Sequence, residues 1–152
     1  MDRTAIEKGI SDMVEKSKVV ERFKVAGLPI PKKPKTINSV VDIFEEWENL
    51  KNNYGGTANI PFDEIGEYLD KWTNLLAYTR WLEAISDIKQ SSTKEIKNTV
   101  EKQLYVIQDG GRELRAASVA TESLFIEWEN KYIEDSSYHT LLKGLREGYE
   151  YR

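Results

Sequence analysis

Apolar residues recur along most of this chain at intervals of three and four, the spacing that lines one face of a helix. No stretch alternates apolar and polar residues over the length of a strand. Across residues 3–25, Ile6, Ile10, Met13, Val14 and Val20 fall near one face and predict a short amphipathic helix that ends at Ala26-Gly27. The run Leu28-Pro29-Ile30-Pro31-Lys32-Lys33-Pro34-Lys35 follows. Its prolines cannot continue a helix and favour an extended, polyproline-like path, so it reads as a linker or arm. A second helix is predicted from about Asn38 to Asn52, with Ser39 as its cap and Val40, Ile43, Phe44, Trp47 and Leu50 on one face. Asn53-Tyr54-Gly55-Gly56 stops it.

Pro61 opens the strongest element. Proline in a first turn, with Asp63 and Glu64 beside it, suits a helix N-terminus, where the backbone dipole favours negative charge. Ile65, Leu69, Trp72, Leu75, Leu76, Leu82 and Ile85 then hold helical spacing to about Gln90. Ser91-Ser92-Thr93 marks a weak break, after which Ile96, Val100, Leu104 and Ile107 continue to the turn Asp109-Gly110-Gly111. Beyond that turn, Leu114, Ala117, Thr121, Phe125, Trp128 and Tyr132 form a seam that Leu141, Leu142, Leu145 and Tyr149 extend. One long helix is expected there, with Asp135-Ser136-Ser137 as the place for a break.

The fold class is therefore all-α: a long antiparallel helical hairpin or bundle with a shorter N-terminal helical arm. Residues 1–36 read as the N-terminal helix and its Pro/Lys-rich linker, and 37–152 as a helical oligomerising domain. Stripes as wide as these need covering by the N-terminal helices or by other copies of the chain. Self-association through the C-terminal helices is favoured over a monomeric bundle, with Phe125, Trp128, Tyr132, Leu142, Leu145 and Tyr149 as the expected oligomer interface.

Composition sharpens this picture. Of 152 residues, 39% are hydrophobic and 32% charged, which favours elongated helices with wide solvated faces over one deep core. The absence of cysteine excludes disulfides, zinc–thiolate sites and cysteine nucleophiles. No apolar run follows Met1-Asp2-Arg3 and none is long enough to span a bilayer, so no signal peptide and no membrane segment are expected, and the cytosol is the expected compartment. The net charge of −4 is unevenly spread. Residues 1–36 carry +4, 37–70 carry −7, 71–115 carry +2 and 116–152 carry −3. A nucleic-acid binder needs a local positive stripe and not a positive total.

Catalysis finds little to work with. His139 is the one histidine, and the carboxylate clusters at Glu45, Glu46 and Glu48 and at Asp63, Glu64, Glu67 and Asp70 lack histidine partners or calcium-loop spacing. The glycine pairs lack the spacing and lysine of a phosphate loop. A non-enzyme with no cofactor, metal or small-molecule substrate is expected. Lys89, Lys94, Lys97, Lys102, Arg112 and Arg115 are the candidate residues for an anionic partner, single-stranded DNA in particular. Tyr78, Trp81 and Tyr105 lie nearby, and base–aromatic stacking holds single strands without sequence preference. Glu95 and Glu101 interleave with the lysines, so spacing alone favours an ordinary salt-bridged face.

The run Leu76-Ala77-Tyr78-Thr79-Arg80-Trp81-Leu82 resembles the tailed-phage recombination mediators, the UvsY-like proteins, which carry a similar Tyr-(Ser/Thr)-basic-Trp-Leu run. Ile88-Lys89, Leu104-Tyr105 with Gly110, and the closing Leu145-Arg146-Glu147-Gly148-Tyr149 are similar to that family's pattern over residues 65–152. The resemblance implies a helical homo-oligomer in the cytoplasm of a phage-infected host. It would bind single-stranded DNA and help load a recombinase while displacing a single-strand-binding protein. It also implies a DNA contact in the stretch Glu101-Lys102-Gln103-Leu104, where Lys102 is the basic residue. Two other classes compete. One is a phage scaffold, neck or virion component making protein contacts alone; the other is a small acidic inhibitor directed at a host protein.

Overall fold

The computed structural model describes residues 2–34 and 40–151, apart from the side chains of 40–42, and every regular element among them is helical. In chain order these are α1 (Arg3–Lys16), α2 (Val19–Val25), α3 (Val40–Tyr54), a 3₁₀ turn (Thr57–Asn59), α4 (Phe62–Ile107), α5 (Arg112–Thr121) and α6 (Ser123–Glu150). Two compact units result, each drawing on α4 and α6. One comprises Met1–Pro29 and Glu83–Gly144, the other Ile30–Leu82 and Leu145–Arg152. The expected cap Ser39 lies outside the described residues.

Helix boundaries follow local chemistry. The Asp2 carboxylate accepts from the Ala5 amide at 2.8 Å and caps α1. The single helix expected over 3–25 is instead two. Ser17 bonds back to the Val14 carbonyl through its hydroxyl and to Met13 and Val14 through its amide, and the helix ends at Lys16. The expected break at Ser91–Thr93 is absent and α4 is continuous over 46 residues. Thr93 keeps its hydroxyl 2.8 Å from the Lys89 carbonyl one turn back, with its single proton directed to the Asp135 carboxylate at 2.6 Å, so it does not compete with the helix at its own amide. Gly110, at φ +102, ends this part of the chain before α5. That φ is one L side chains rarely adopt, so any other residue there would be strained.

The one long helix expected after this turn also divides, at Glu122 and not at Asp135–Ser137. Glu122 is extended (ψ 128°), and its carboxylate takes hydrogen bonds from Arg3 and from Gln108. Ser137 and Thr140 bond their i−4 carbonyls and leave α6 unbroken. The interruption resets the helical phase. Val119 is therefore the buried residue of α5, while Leu114, Ala117 and Thr121 of the expected seam are exposed.

In the first unit, Ile6 and Ile10 of α1 pack with Ile96, Val100 and Leu104 of α4, Val119 of α5 and Trp128 of α6. The N-terminal helix is thus part of a core within its own chain. Further along, the α4–α6 contact turns polar. His139 Nδ1 lies 2.9 Å from the Ser86 hydroxyl, Gln90 donates to Ser136 at 3.3 Å, and the Thr93 hydroxyl stands 2.6 Å from the Asp135 carboxylate. Lys89 adds an ion pair to Asp135 at 3.3 Å. Thr93 and Ser86 are nearly inaccessible to solvent, and these polar pairings fix how the two helices align, while the Gln90 side-chain oxygen is buried without a hydrogen-bond partner among the described residues.

The second unit is smaller and aromatic. Ile43, Leu75 and Tyr149 form its centre, with Phe44, Tyr68, Trp72, Leu76 and Leu145 packed around them. Arg80 donates to Glu150 and ties α4 to the last turn of α6, and Arg146 donates to the same carboxylate from one turn back on α6.

Two outcomes test these clasps. Thr93→Val leaves Asp135 short of a donor and should cost about 1–3 kcal/mol in urea unfolding. Thr93→Val with Asp135→Leu removes both partners and should recover most of that loss; strictly additive costs would contradict the clasp. The Arg80 hydrogen bond, with Arg146 beside it, holds the Glu150 carboxyl below the usual carboxylate range. Its stabilisation is complete above an unfolded value of about 4.3 and is lost as pH falls through the depressed folded value. Thermal melts of Glu150→Gln should accordingly show a shallower acid limb than the parent chain.

Candidate binding surfaces

Glycine geometry and ring packing build the first candidate surface. Gly55 and Gly56, at φ +72 and +134, allow the chain to reverse after α3, and the 3₁₀ turn with buried Ile60 leads into α4. Phe44 and Trp47 on α3 then meet Tyr68 and Trp72 on α4. Trp47 and Tyr68 are stacked with centroids 4.9 Å apart, and Phe44 and Trp72 tilt together at 5.6 Å. Trp72 receives the edge of Tyr149 at 5.5 Å, and Tyr68 donates its hydroxyl to the Ile43 carbonyl at 3.2 Å. Burial raises the phenol pKa of both Tyr68 and Tyr149.

These rings enclose an open pocket of about 420 Å³, completed by Ile65, half-exposed Leu69 and the carboxylate of Glu48. Residues 40–71 of the same two helices carry eight carboxylates against Lys51 and Lys71, net −6. Lys51 pairs with Glu48 at 2.7 Å, and its ammonium stands 5.9 Å from the Trp47 centroid. Lys71 pairs with Glu46. Glu45, Asp63, Glu67 and Asp70 are exposed without an ion-pair partner among the described residues. An apolar, aromatic pocket in a negative field is suited to a cation with an apolar stem. Spacing alone put Phe44 and Trp47 on one face of a helix. The facing of that pair by Tyr68 and Trp72 depends on the Gly55-Gly56 reversal.

The six basic candidates divide. Lys89 is held by Asp135. The Lys97 ammonium sits 4.8 Å from the Tyr132 ring, turned toward α6. Arg115 lies 5.8 Å from the Tyr105 ring and donates to the Gly110 carbonyl at 2.9 Å. Lys94, Lys102 and Arg112 are exposed and have no ion-pair partner among the described residues. Glu95 and Glu101 are exposed on the same stretch.

The expected interface residues are occupied within the chain. Trp128 and Leu142 are buried, Phe125 packs against the first core, and Tyr132 lies under Lys97. Tyr149 is buried in the second core with Leu145 against it. The apolar residues that α6 leaves exposed are Ile126, Ile133, Tyr138 and Leu141.

His139 invites a catalytic reading, since Ser86 and Asp87 flank it. The geometry argues for a clasp. The Ser86 hydroxyl donates to the Glu83 carbonyl at 2.8 Å, so it receives from His139 and offers it no proton. Asp87 stands 3.8 Å from Nε2, beyond hydrogen-bond reach, and Ser86 is 4% exposed. Among the described residues, no group of three or more acidic or histidine side chains is placed to hold a metal ion, and no helix is long and apolar enough to cross a membrane. Comparison with family models, curated proteins and solved structures finds no match for the chain.

Tyr149, at the centre of the second core, provides a test of the packing behind Trp72. Its hydroxyl is buried without a hydrogen-bond partner among the described residues. Tyr149→Phe should leave stability unchanged or raise it by up to about 1–3 kcal/mol, the cost of an unsatisfied buried group. Tyr149→Ala should cost about 3–5 kcal/mol in chemical denaturation.

Proposed function

We propose that this chain is a non-catalytic recombination accessory protein of the tailed-phage mediator kind, which holds single-stranded DNA on the exposed side of α4 and the first turn of α5. The observation that supports this reading is the set of cations left free there. Lys94, Lys102 and Arg112 point into solvent, with the Arg115–Tyr105 pair on the same stretch. Lys94 and Lys102 are separated by about 12 Å of helix rise, a spacing that lets one strand run past both. Three cations make a weak site. Repetition of that site in a self-associated assembly multiplies it through effective concentration. Self-association would use the outer face of α6, where Ile126, Ile133 and Leu141 are uncovered. A recombinase and a single-strand-binding protein are the partners that the resemblance over 65–152 implies, in the cytoplasm of an infected host.

One observation favours a second reading, an assembly protein making protein contacts alone. Each unit carries a net charge of −2, and three of the six basic candidates are engaged within the chain.

Fluorescence anisotropy of a labelled single-stranded oligonucleotide at ~50 and ~200 mM salt separates the two. Under the first reading, affinity falls steeply with salt. Lys94→Ala/Lys102→Ala/Arg112→Ala, all at exposed positions, then reduces the slope of log affinity against log salt by about 2. Absence of binding at the lower salt assigns the chain to the second.

A further inference from the structure

Two features remain unused by that reading, and their chemistry is complementary. One is the aromatic pocket of α3 and α4. The other is the segment Leu28-Pro29-Ile30-Pro31-Lys32-Lys33-Pro34-Lys35, which carries three lysines and no carboxylate. Residues 28–34 are non-helical, and Lys32 and Lys33 are exposed. We propose that the pocket is a docking site for this proline- and lysine-rich segment of a second copy of the chain.

A polyproline II helix repeats every three residues, about 9 Å per turn. At that period Leu28, Pro31 and Pro34 share one edge, which is wholly apolar. Pro29, Lys32 and Lys35 share the second, and Ile30 and Lys33 the third. Laid into an aromatic groove, the apolar edge meets rings and the lysines project to either side. Proline-rich segments are recognised in this way because proline has already fixed the backbone and little entropy is lost on docking.

The pocket has the matching parts. Phe44, Trp47, Tyr68 and Trp72 line it with four neighbouring rings, and half-exposed Leu69 adds an apolar side chain to the lining. Glu48 stands in the wall. Lys51 already places an ammonium over Trp47 beside that carboxylate, an arrangement an incoming lysine can reproduce or displace. The net −6 of residues 40–71 attracts a segment of charge +3 and repels a nucleic-acid strand. Among the described residues, none that lines the pocket comes from the chain's own arm. Exchange between copies leaves each chain both donor and acceptor, so the contact can be repeated from copy to copy.

The test uses the full-length chain and a fluorescein-labelled synthetic peptide with the sequence of residues 28–35. The receiving chain carries Lys32→Glu/Lys33→Glu, which removes its own arm as a competitor. Saturable binding is expected, weakened at least about tenfold by Leu69→Lys, which puts a like charge in the lining, and by Glu48→Lys. Both positions are exposed, and circular dichroism establishes that each variant folds. A control peptide with alanine at the three prolines should also bind at least about tenfold more weakly; equal binding would reduce the effect to charge attraction and overturn the proposal. Light scattering supplies the second readout. The parent chain should gain mass with concentration, and the arm variant should gain less. Peptide binding without that difference means that the arm docks within its own chain, which also overturns the proposal. Oligonucleotide affinity, measured below the chain concentration at which mass rises, should be unchanged in Leu69→Lys, so failure here is separable from failure of the DNA reading.

Discussion

A carboxylate withdrawn from water must find partners, and Asp135 finds them on the helix facing it. The Thr93 hydroxyl and the Lys89 ammonium converge on its two oxygens, and Gln90–Ser136 and Ser86–His139 repeat the polar match on either side. Sliding α6 by one residue along α4 would break all of these contacts at once, leaving buried polar groups unpaired. An apolar seam tolerates such slips far more easily. The clasp therefore determines which side chains of α6 enter the first core and which face solvent. With this alignment Trp128 is inside, Tyr132 lies beneath Lys97, and Ile126, Ile133 and Leu141 are left outside.

The same constraint decides the fate of the positive charges. Three of the basic side chains in the 89–115 stretch are drawn into structural contacts because a carboxylate or a ring lies within reach across the helix pair or the Gly110 turn. An ammonium resting on a tyrosine ring stays solvated on its other side, so such contacts cost little. Lys94, Lys102 and Arg112 are exposed on α4 and α5 and have no ion-pair partner among the described residues. A strand of nucleic acid would meet this reduced set, interrupted by Glu95 and Glu101, and its binding would depend strongly on salt and on copy number.

The negative charges are concentrated elsewhere, on α3 and the first turns of α4. Asp63 and Glu64 suit the N-terminal dipole of α4, and Glu46 and Glu48 are matched by Lys71 and Lys51. The remaining carboxylates are in excess of what the fold uses. On the same two helices lies an aromatic pocket that is open to solvent and has Glu48 in its lining, although rings of that size ordinarily bury their faces. Charge and ring surface together define a receptor for a basic, apolar-edged segment, and the chain carries one such segment itself.

Much of the helical content was legible from spacing. Pro61 with Asp63 and Glu64 marked the start of α4, Gly55-Gly56 and Asp109-Gly110-Gly111 marked reversals, and the three-and-four pattern through Ile96, Val100 and Leu104 marked a core face. These signals are local, since proline and glycine act on their own backbone and amphipathic spacing on a single helix. The breaks at Ser17 and Glu122, and the continuity through Ser91–Thr93, were not legible. A serine or threonine can cap, break or back-bond, and what decides is the partner that folding brings to it. Tertiary structure alone determined that Trp128 and Tyr149 serve this chain's own cores, which of the lysines remain free, and that Phe44 and Trp47 face Tyr68 and Trp72. Each is a contact between residues distant in sequence, fixed by matching buried polar groups and rings that no single segment contains.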